Sequence, residues 1–250
     1  MSNSLYHISD SQWSRIKFIF EKPTKVGRSP LNPRTVFNGI MWILASGARW
    51  RDLPAYYGNW NSIYHKFRQW CRLGLFERLM KVINSESANT TLLEIDSTFC
   101  KVHQSACCSL KNQAIGASRG GKNTKIHVLL NERMQLMNVI LTGGQVHDSE
   151  KAIELFAGIK LAGKKILGDK AFGSEQIREH LVRHDAIVCI PDKVNSKVKH
   201  DFDADLYRKR NIVERFFQRI KNYRHIATRY DKLAECFLNF VLLAAAVIHL

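Results

Sequence analysis

Three acidic residues stand where an acid is costly or out of place. Asp96 lies inside the apolar run LLEIDST and Asp169 ends the run KILGD. Glu214 is the single acid in YRKRNIVERFFQRIKNYR, residues 207–224. A carboxylate on a buried strand needs a hydrogen-bonded network, a basic partner or a metal, because an unpaired buried charge is strongly unfavourable. Together the three could gather one or two Mg²⁺ ions, which bind a few carboxylates and keep waters. Two such ions roughly 3.5–4 Å apart can activate an attacking oxygen and stabilise a leaving one in phosphodiester chemistry. Singly, each Asp also reads as a strand-end turn former. Glu214 also reads as the partner of Arg210 in a surface ion pair.

The elements that must position these acids follow from periodicity. Around Glu214, Ile212, Val213, Phe216, Phe217, Ile220 and Tyr223 recur at helical spacing and define a core-facing arc. On one continuous helix, Tyr207, Arg210, Glu214, Gln218 and Lys221 then share a polar stripe. TLLEIDSTFCKVH, KNTKIHVLLNE and QLMNVILTGG read as strands, the last two joined by a turn near Arg133. SEKAIELFAGI reads as a helix capped by Asp148 or Ser149, KKILGDKAF as a buried strand, SEQIREHLVRH as a helix and AIVCIP as a strand. This is an α/β order, and strand ends in such sheets border the ligand crevice. SRGGKNTK could clasp a phosphate with backbone N–H groups and Arg119, Lys122 or Lys125. It could equally be a hairpin turn. His147 and Asp148 read as a helix cap, or as flanks of the metal site.

Residues 1–84 read as all helical, and residues 85–250 as the mixed part. Ser9 or Asp10 can cap a first helix, and a basic, Pro-containing linker, EKPTKVGRSPLNPR, follows. TVFNGIMWILASG ends at a glycine stop, WRDLPAYYG is a short helix and turn, and residues 60–72 form an amphipathic helix. Trp60, Ile63, Tyr64, Phe67, Trp70 and Cys71 are expected on its inner face. Asn61, His65, Lys66, Arg68 and Arg72 are expected on its outer face. That order predicts a helix-turn-helix near residues 33–72, with 60–72 reading DNA. The plainer alternative is a helical bundle that touches nothing.

The chain has 250 residues, 45% hydrophobic, and carries a net charge of +16 from 38 basic and 22 acidic residues. It can bury a core, and the excess charge implies a polyanionic partner. The longest apolar segment, CFLNFVLLAAAVIHL, is shorter than a bilayer span and reads as a buried helix. The opening MSNSLYHISDSQW lacks the pattern of a signal peptide, so the expectation is a cytoplasmic protein without a membrane partner. The cluster CKVHQSACC brings Cys100, His103, Cys107 and Cys108 together in sequence, but zinc ligand pairs usually come from separate segments, and zinc is not expected.

Tyr207-x2-Arg210-x3-Glu214-x6-Lys221 matches the Y-R-E-K signature of bacterial DDE transposases. From about Ile8 to the C-terminus the chain resembles the insertion-sequence family five group. GARWRDLPAYYGNWNSIYHKFRQW is similar to that group's N-terminal domain. EIDSTFCKVH, AIGASRGGKNTKIH, TGGQVHDSE, GDKAFGS and RNIVERFFQRIKNYRHIATRYDKL are similar to its catalytic domain. Gly168 stands where relatives often have Ala. The resemblance implies a ribonuclease-H-like catalytic domain after a helical DNA-binding domain. It implies a metal-binding triad of Asp96, Asp169 and Glu214, with Mg²⁺ as cofactor and Mn²⁺ able to substitute. It also implies that Tyr207, Arg210 and Lys221 work near the cleaved end. The expected activity is cleavage at the terminal inverted repeats of an insertion sequence and joining to target DNA, by a homo-oligomer, a dimer on paired ends. The alternative is a non-catalytic DNA-binding regulator or decayed transposase.

Overall fold

The computed structural model describes residues 6–21, 31–85, 90–108, 110–193, 195–196, 198–208 and 210–250. Most of the basic linker, residues 22–30, lies outside them. The chain divides into two compact units. One takes in Met1–Ile83, His103–Cys108 and Ile220–Leu250; the other takes in Asn84–Val102 and Ser109–Arg219. The helical unit is therefore not the first third of the chain alone.

The second unit is built on a mixed sheet. Its strands are β1 (Leu92–Val102), β2 (Gly116–Ser118), β3 (Gly121–Asn131), β4 (Leu136–Gly143), β5 (Lys165–Gly168) and β6 (Ile187–Cys189). β3 runs antiparallel between β1 on one side and β4 and β2 on the other. β5 lies parallel to β1, and β6 parallel to β5. Three meandering antiparallel strands followed by two parallel ones around a central β1 is the ribonuclease-H-like order. The parallel strands need crossovers, and α6 (Glu175–Arg183) supplies the one from β5 to β6. One face of the sheet is sealed by Leu93, Ile95, Leu129 and Ile166, packed with Leu155 of the short α5 (Ala152–Leu155) and Ile177 and Leu181 of α6. Gly168 lies against Ile95: a Cβ there would meet Ile95 Cγ2 at 2.9 Å, so an alanine would not fit without movement.

SRGGKNTK is a hairpin. Ser118 pairs with Gly121 across the two-residue turn Arg119–Gly120, and Gly121 adopts φ 94°, which a side chain would strain.

The helical unit contains α1 (Asp10–Phe20), α2 (Pro33–Ser46), α3 (Trp60–Arg72) and α4 (Leu75–Ser85, its last two residues in the other unit). Ser9 caps α1 in a reciprocal box with Gln12, and Asn32 caps α2. Gly47 ends α2 with a left-handed φ of 65°. Residues 47–59 link α2 to α3 through two single 3₁₀ turns, a longer connection than the tight turn of a helix-turn-helix. Ile63, Phe67, Trp70 and Cys71 are buried as expected, whereas Trp60 and Tyr64 remain partly open. α9 (Arg224–Ala227) and α10 (Ala234–Val247) belong to the same unit. α10 is buried along most of its length, so CFLNFVLLAAAVIHL is a core helix. Among the described residues no helix is long and apolar enough to cross a membrane.

The expected single helix over 207–224 is broken. α7 (Ala204–Arg208) ends before Arg210, and α8 (Ile212–Lys221) begins after it. Arg210 N–H closes a turn on Tyr207 O at 2.9 Å, and Asn211 O accepts from Arg215 N–H at 3.1 Å as α8 begins. Val213, Phe216, Phe217 and Ile220 of the expected arc are buried.

Candidate active site and nucleic-acid interface

Asp96 and Asp169 are brought together by the sheet. Ile95 of β1 is in register with Gly168 of β5, so the two aspartates follow at matching positions on neighbouring parallel strands. The Asp96 carboxylate accepts from the Ser97 N–H at 2.7 Å. Arg210 Nη1 stands 3.6 Å from its Oδ2. Burial pushes the Asp96 pKa up to about 6; Ser97 N–H and Arg210 pull it down, and the charges of Asp169 and Asp148 add to the rise. Asp169 caps the 3₁₀ turn Lys170–Phe172, accepting from Ala171 N–H at 2.7 Å. Beside it a cavity of about 380 Å³ is lined by His147, Lys170, Lys193 and Asn195.

Asp148 is a further acid of this site. The helix cap is made by His147, whose side chain accepts from Ser149 N–H, and not by Asp148 or Ser149. That frees the Asp148 carboxylate, which accepts from the Ser97 hydroxyl and lies 3.0 Å from Lys125 Nζ. Burial works against its charge, but Ser97 and Lys125 outweigh it and hold its pKa below the usual carboxylate range. Lys125 is correspondingly 4% exposed, donates to Val146 O at 2.6 Å and lies over the Phe99 ring. This corrects its expected place on a phosphate-clasping surface: the lysine is buried between a carboxylate and a carbonyl, not displayed at the hairpin surface. Arg119 and Lys122 are exposed.

Glu94, which sequence reasoning passed over, is fully buried. It sits two residues before Asp96, on the same face of β1. Its carboxylate faces the backbone N–H groups of Ile212 and Val213 at the start of α8 without an ordinary hydrogen bond to either, and feels Arg210. Burial pushes its pKa up to about 7, so it holds a proton over much of the range below neutrality. The signal was present in LLEID: two acids at strand spacing in an apolar run.

Tyr207 joins through Arg210, whose guanidinium lies 5.7 Å from the Tyr207 ring centroid. Arg210 thus pairs with Asp96 and not with Glu214, because the helix break takes it off the α8 stripe. Glu214 is exposed on the first turn of α8, and Lys221 is half-buried at its end. Among the described residues no group of three His, Cys, Asp or Glu is close enough to hold a metal ion. Cys100, Cys107 and Cys108 are free thiols. Asp96 and Asp169 nonetheless fit a cation: they are adjacent acids whose mutual repulsion and burial are incompletely offset by Arg210, whose Nη1 is buried without a hydrogen bond.

Behind the site His127 is fully buried, with Nε2 2.8 Å from Thr142 Oγ1. Burial lowers its pKa to about 4. The unfolded chain takes up this proton near pH 6.5 and the folded chain only near 4, so stability falls as pH drops through that window. The loss is roughly 3 kcal/mol once both states are protonated. Urea unfolding at pH 7.5 and 4.5 should show it, and His127→Gln should flatten the dependence; an equal slope in the variant would remove His127 as its cause.

On α3, Asn61, His65 and Arg72 are exposed and Lys66 is half-buried, its Nζ donating to Gln69 Oε1 at 3.0 Å. Arg68 departs from the expected outward face. It donates to the Tyr64 hydroxyl at 3.4 Å and stands 3.9 Å from Glu235 of α10, with 17% of its side chain exposed. The acid on α10 draws it inward.

Comparison with known proteins adds an independent line. A family model described as "Transposase DDE domain" matches residues 88–248, and one described as "Putative transposase of IS4/5 family" matches residues 8–80. A Brucella ovis protein named "Putative transposase for insertion sequence element IS6501" is 30% identical over 128 residues, 51% of this chain and 98% of that protein. The "Uncharacterized protein y4sN" of Sinorhizobium fredii is 34% identical over 100 residues, 40% of this chain and 79% of that protein. Among solved structures, the piggyBac transposase synaptic complex with hairpin DNA matches at 13% identity and a TM-score of 0.38, over 78% of this chain and 50% of that one. The Mos1 transposase paired-end complex with left transposon end matches at 12% identity and 0.28, over 92% and 86%.

Proposed function

Because the chain belongs to the transposase DDE-domain family, we propose that it binds the ends of an insertion sequence, cleaves them and joins the freed 3′-OH ends to target DNA. The observation that carries the reading is the pair Asp96, within β1, and Asp169, directly after β5, at matching positions on neighbouring parallel strands, with Arg210 beside Asp96 and Tyr207 beside Arg210. Domains of this family use divalent metal ions. We assign Asp96 and Asp169 as the residues that hold them and Glu214, which this structure does not gather with the two, as the third ligand on binding, with Mg²⁺ as the physiological ion and Mn²⁺ able to replace it. Such ions lower the pKa of an attacking water or hydroxyl and neutralise charge on a leaving oxygen.

The chain's own groups do the positioning. Ser97 N–H and Arg210 orient the Asp96 carboxylate. Ala171 N–H fixes that of Asp169. The Ser97 hydroxyl and Lys125 hold Asp148, adding negative charge beside Asp96 without requiring it to be a ligand. Lys170 and Lys193 line the cavity next to Asp169, where they can take the phosphates that flank the scissile bond. The Glu94 carboxylate stands at the start of α8. Water attack frees a 3′-OH, and that hydroxyl then attacks a target phosphodiester. The working form is a homo-oligomer, a dimer on paired ends. A non-catalytic regulator would need the basic charge and α3 but not the acids on β1 and β5.

End recognition is assigned to α3, chiefly Asn61, His65, Lys66 and Arg72, with Arg119 and Lys122 as further phosphate contacts. Lys66→Ala and Arg72→Ala should each weaken DNA binding and reduce the slope of log affinity against log salt by about 0.9. Arg68→Ala should leave that slope nearly unchanged, because its guanidinium is already engaged by Tyr64 and Glu235. Gel-shift titrations at several salt concentrations read this, and unaltered slopes in all three variants would move the DNA surface elsewhere.

A further inference from the structure

The helical unit contains a cleft that none of these roles uses. Two adjoining hollows, of about 250 and 420 Å³, share Trp50, Ser105, Tyr230 and Asp231 as walls. Trp60 and Tyr64 of α3 and Lys232 also line the first; Arg49, His103 and His225 also line the second. Periodicity alone would send Trp60 and Tyr64 to the core with Ile63 and Phe67. Instead Trp50, Trp60, Tyr64 and Tyr230 are all only half-buried. Large rings left open forfeit apolar burial, and open rings around a cleft are the surfaces on which a planar ligand stacks.

The polar groups narrow the ligand. His225 is 2% exposed, and its Nε2 lies 2.8 Å from Asp231 Oδ2. The other ring nitrogen, Nδ1, is buried without a hydrogen-bond partner. A buried polar atom is costly until a partner reaches it. At the mouth stands the exposed Lys232, in a chain of net charge +16. The cleft thus offers aromatic walls, an imidazole with one unpartnered ring nitrogen, and a cation at the rim. A nucleotide has the matching parts: a ring with edge N–H donors and an attached phosphate. An aromatic side chain from a second copy would supply the ring, but no phosphate for Lys232.

We propose that this cleft takes an unstacked DNA base, its ring among Trp50, Trp60 and Tyr230, its edge toward His225 and its phosphate toward Lys232. The inference rests on DNA being the partner, but on no catalytic step. It assigns part of the affinity for DNA to a nucleotide that has left its duplex stack, at a place separate from the acids of β1 and β5.

The full chain is titrated in EDTA with a short single-stranded oligonucleotide carrying one 2-aminopurine, and with the same sequence as an unmodified duplex. Binding should quench the 2-aminopurine, and an abasic residue at that position should bind about tenfold more weakly. Trp60→Leu should lose the quenching and about tenfold in single-strand affinity, whereas Tyr230→Phe keeps both. Ser105→Trp fills the cleft from an exposed position without removing a wall, and should mimic Trp60→Leu while leaving duplex affinity unchanged. Undiminished quenching and affinity in a folded Ser105→Trp would overturn the proposal, as would self-association of the wild type that Ser105→Trp abolishes. Failure of single-strand binding alone, with duplex binding intact, overturns only this inference. Failure of both overturns the DNA reading with it.

Discussion

Asp96→Asn and Asp169→Asn are expected to lower strand cleavage by a factor on the order of thousands while DNA binding stays near wild type. Losing one ligand of a two-metal site removes several kcal/mol of transition-state stabilisation. Asn is the informative replacement because it separates the two roles open to each acid. Its amide oxygen can still accept from Ser97 N–H at position 96 and from Ala171 N–H at position 169. The local turns survive and only the charge is lost. Stability gives the complementary sign. The folded pKa of Asp96, about 6, lies above its ordinary value, so the folded metal-free protein binds this proton more tightly than the unfolded chain. Stability from this group is therefore present below pH 4 and lost as pH rises through 6. Asp96→Asn should raise the melting temperature of metal-free protein at pH 8, and the gain should shrink when divalent metal stabilises the wild type. Cleavage at the wild-type rate in either Asn variant would return both aspartates to a purely structural role.

How much of this was legible in the sequence depended on whether local pattern and tertiary contact agreed. The strands carrying Asp96 and Asp169 were legible because each acid interrupts an apolar run long enough to mark a buried strand. The register that pairs Ile95 with Gly168 was not, since nothing local specifies which strand lies beside β1. The hairpin at Arg119–Gly120 was one of two readings, and the choice needed the pairing of Ser118 with Gly121. Lys125 and Arg68 were read as surface cations from residue type. Their burial depends on Asp148 and Glu235, more than twenty and more than one hundred residues away in sequence. The break at Arg210 was hidden for the same reason. Residues 207–224 hold no Gly or Pro; at the break Arg210 lies 3.6 Å from Asp96, and Glu94 stands at the first N–H groups of α8. Helical propensity is a weak prior, and charges on another strand overrode it.

That break gives Glu214 the second largest expected effect. On an unbroken helix its nearest cation would have been Arg210, and the plain reading was an ion pair. With Arg210 committed to Asp96, Glu214 is left exposed on the first turn of α8. An acid there is favoured by the helix dipole, but only by about 0.3–1 kcal/mol, and a Gln in its place should leave the fold intact. If Glu214 instead completes the metal site, Glu214→Gln should remove cleavage with either Mg²⁺ or Mn²⁺, again by a factor on the order of thousands. Calorimetric titration should show weaker metal binding in the same variant. Lys221 cannot hold a cation, so Lys221→Ala should spare metal binding and instead misplace the DNA end, a displacement that can cost about a hundredfold. The pair of variants therefore separates two kinds of loss on one helix: metal affinity and rate at position 214, rate alone at position 221. Single-turnover cleavage of a pre-bound end, beside the melting temperature of each variant, makes the comparison. Normal cleavage by a folded Glu214→Gln would leave Asp96 and Asp169 without their third partner and reduce Glu214 to a solvated acid at a helix start.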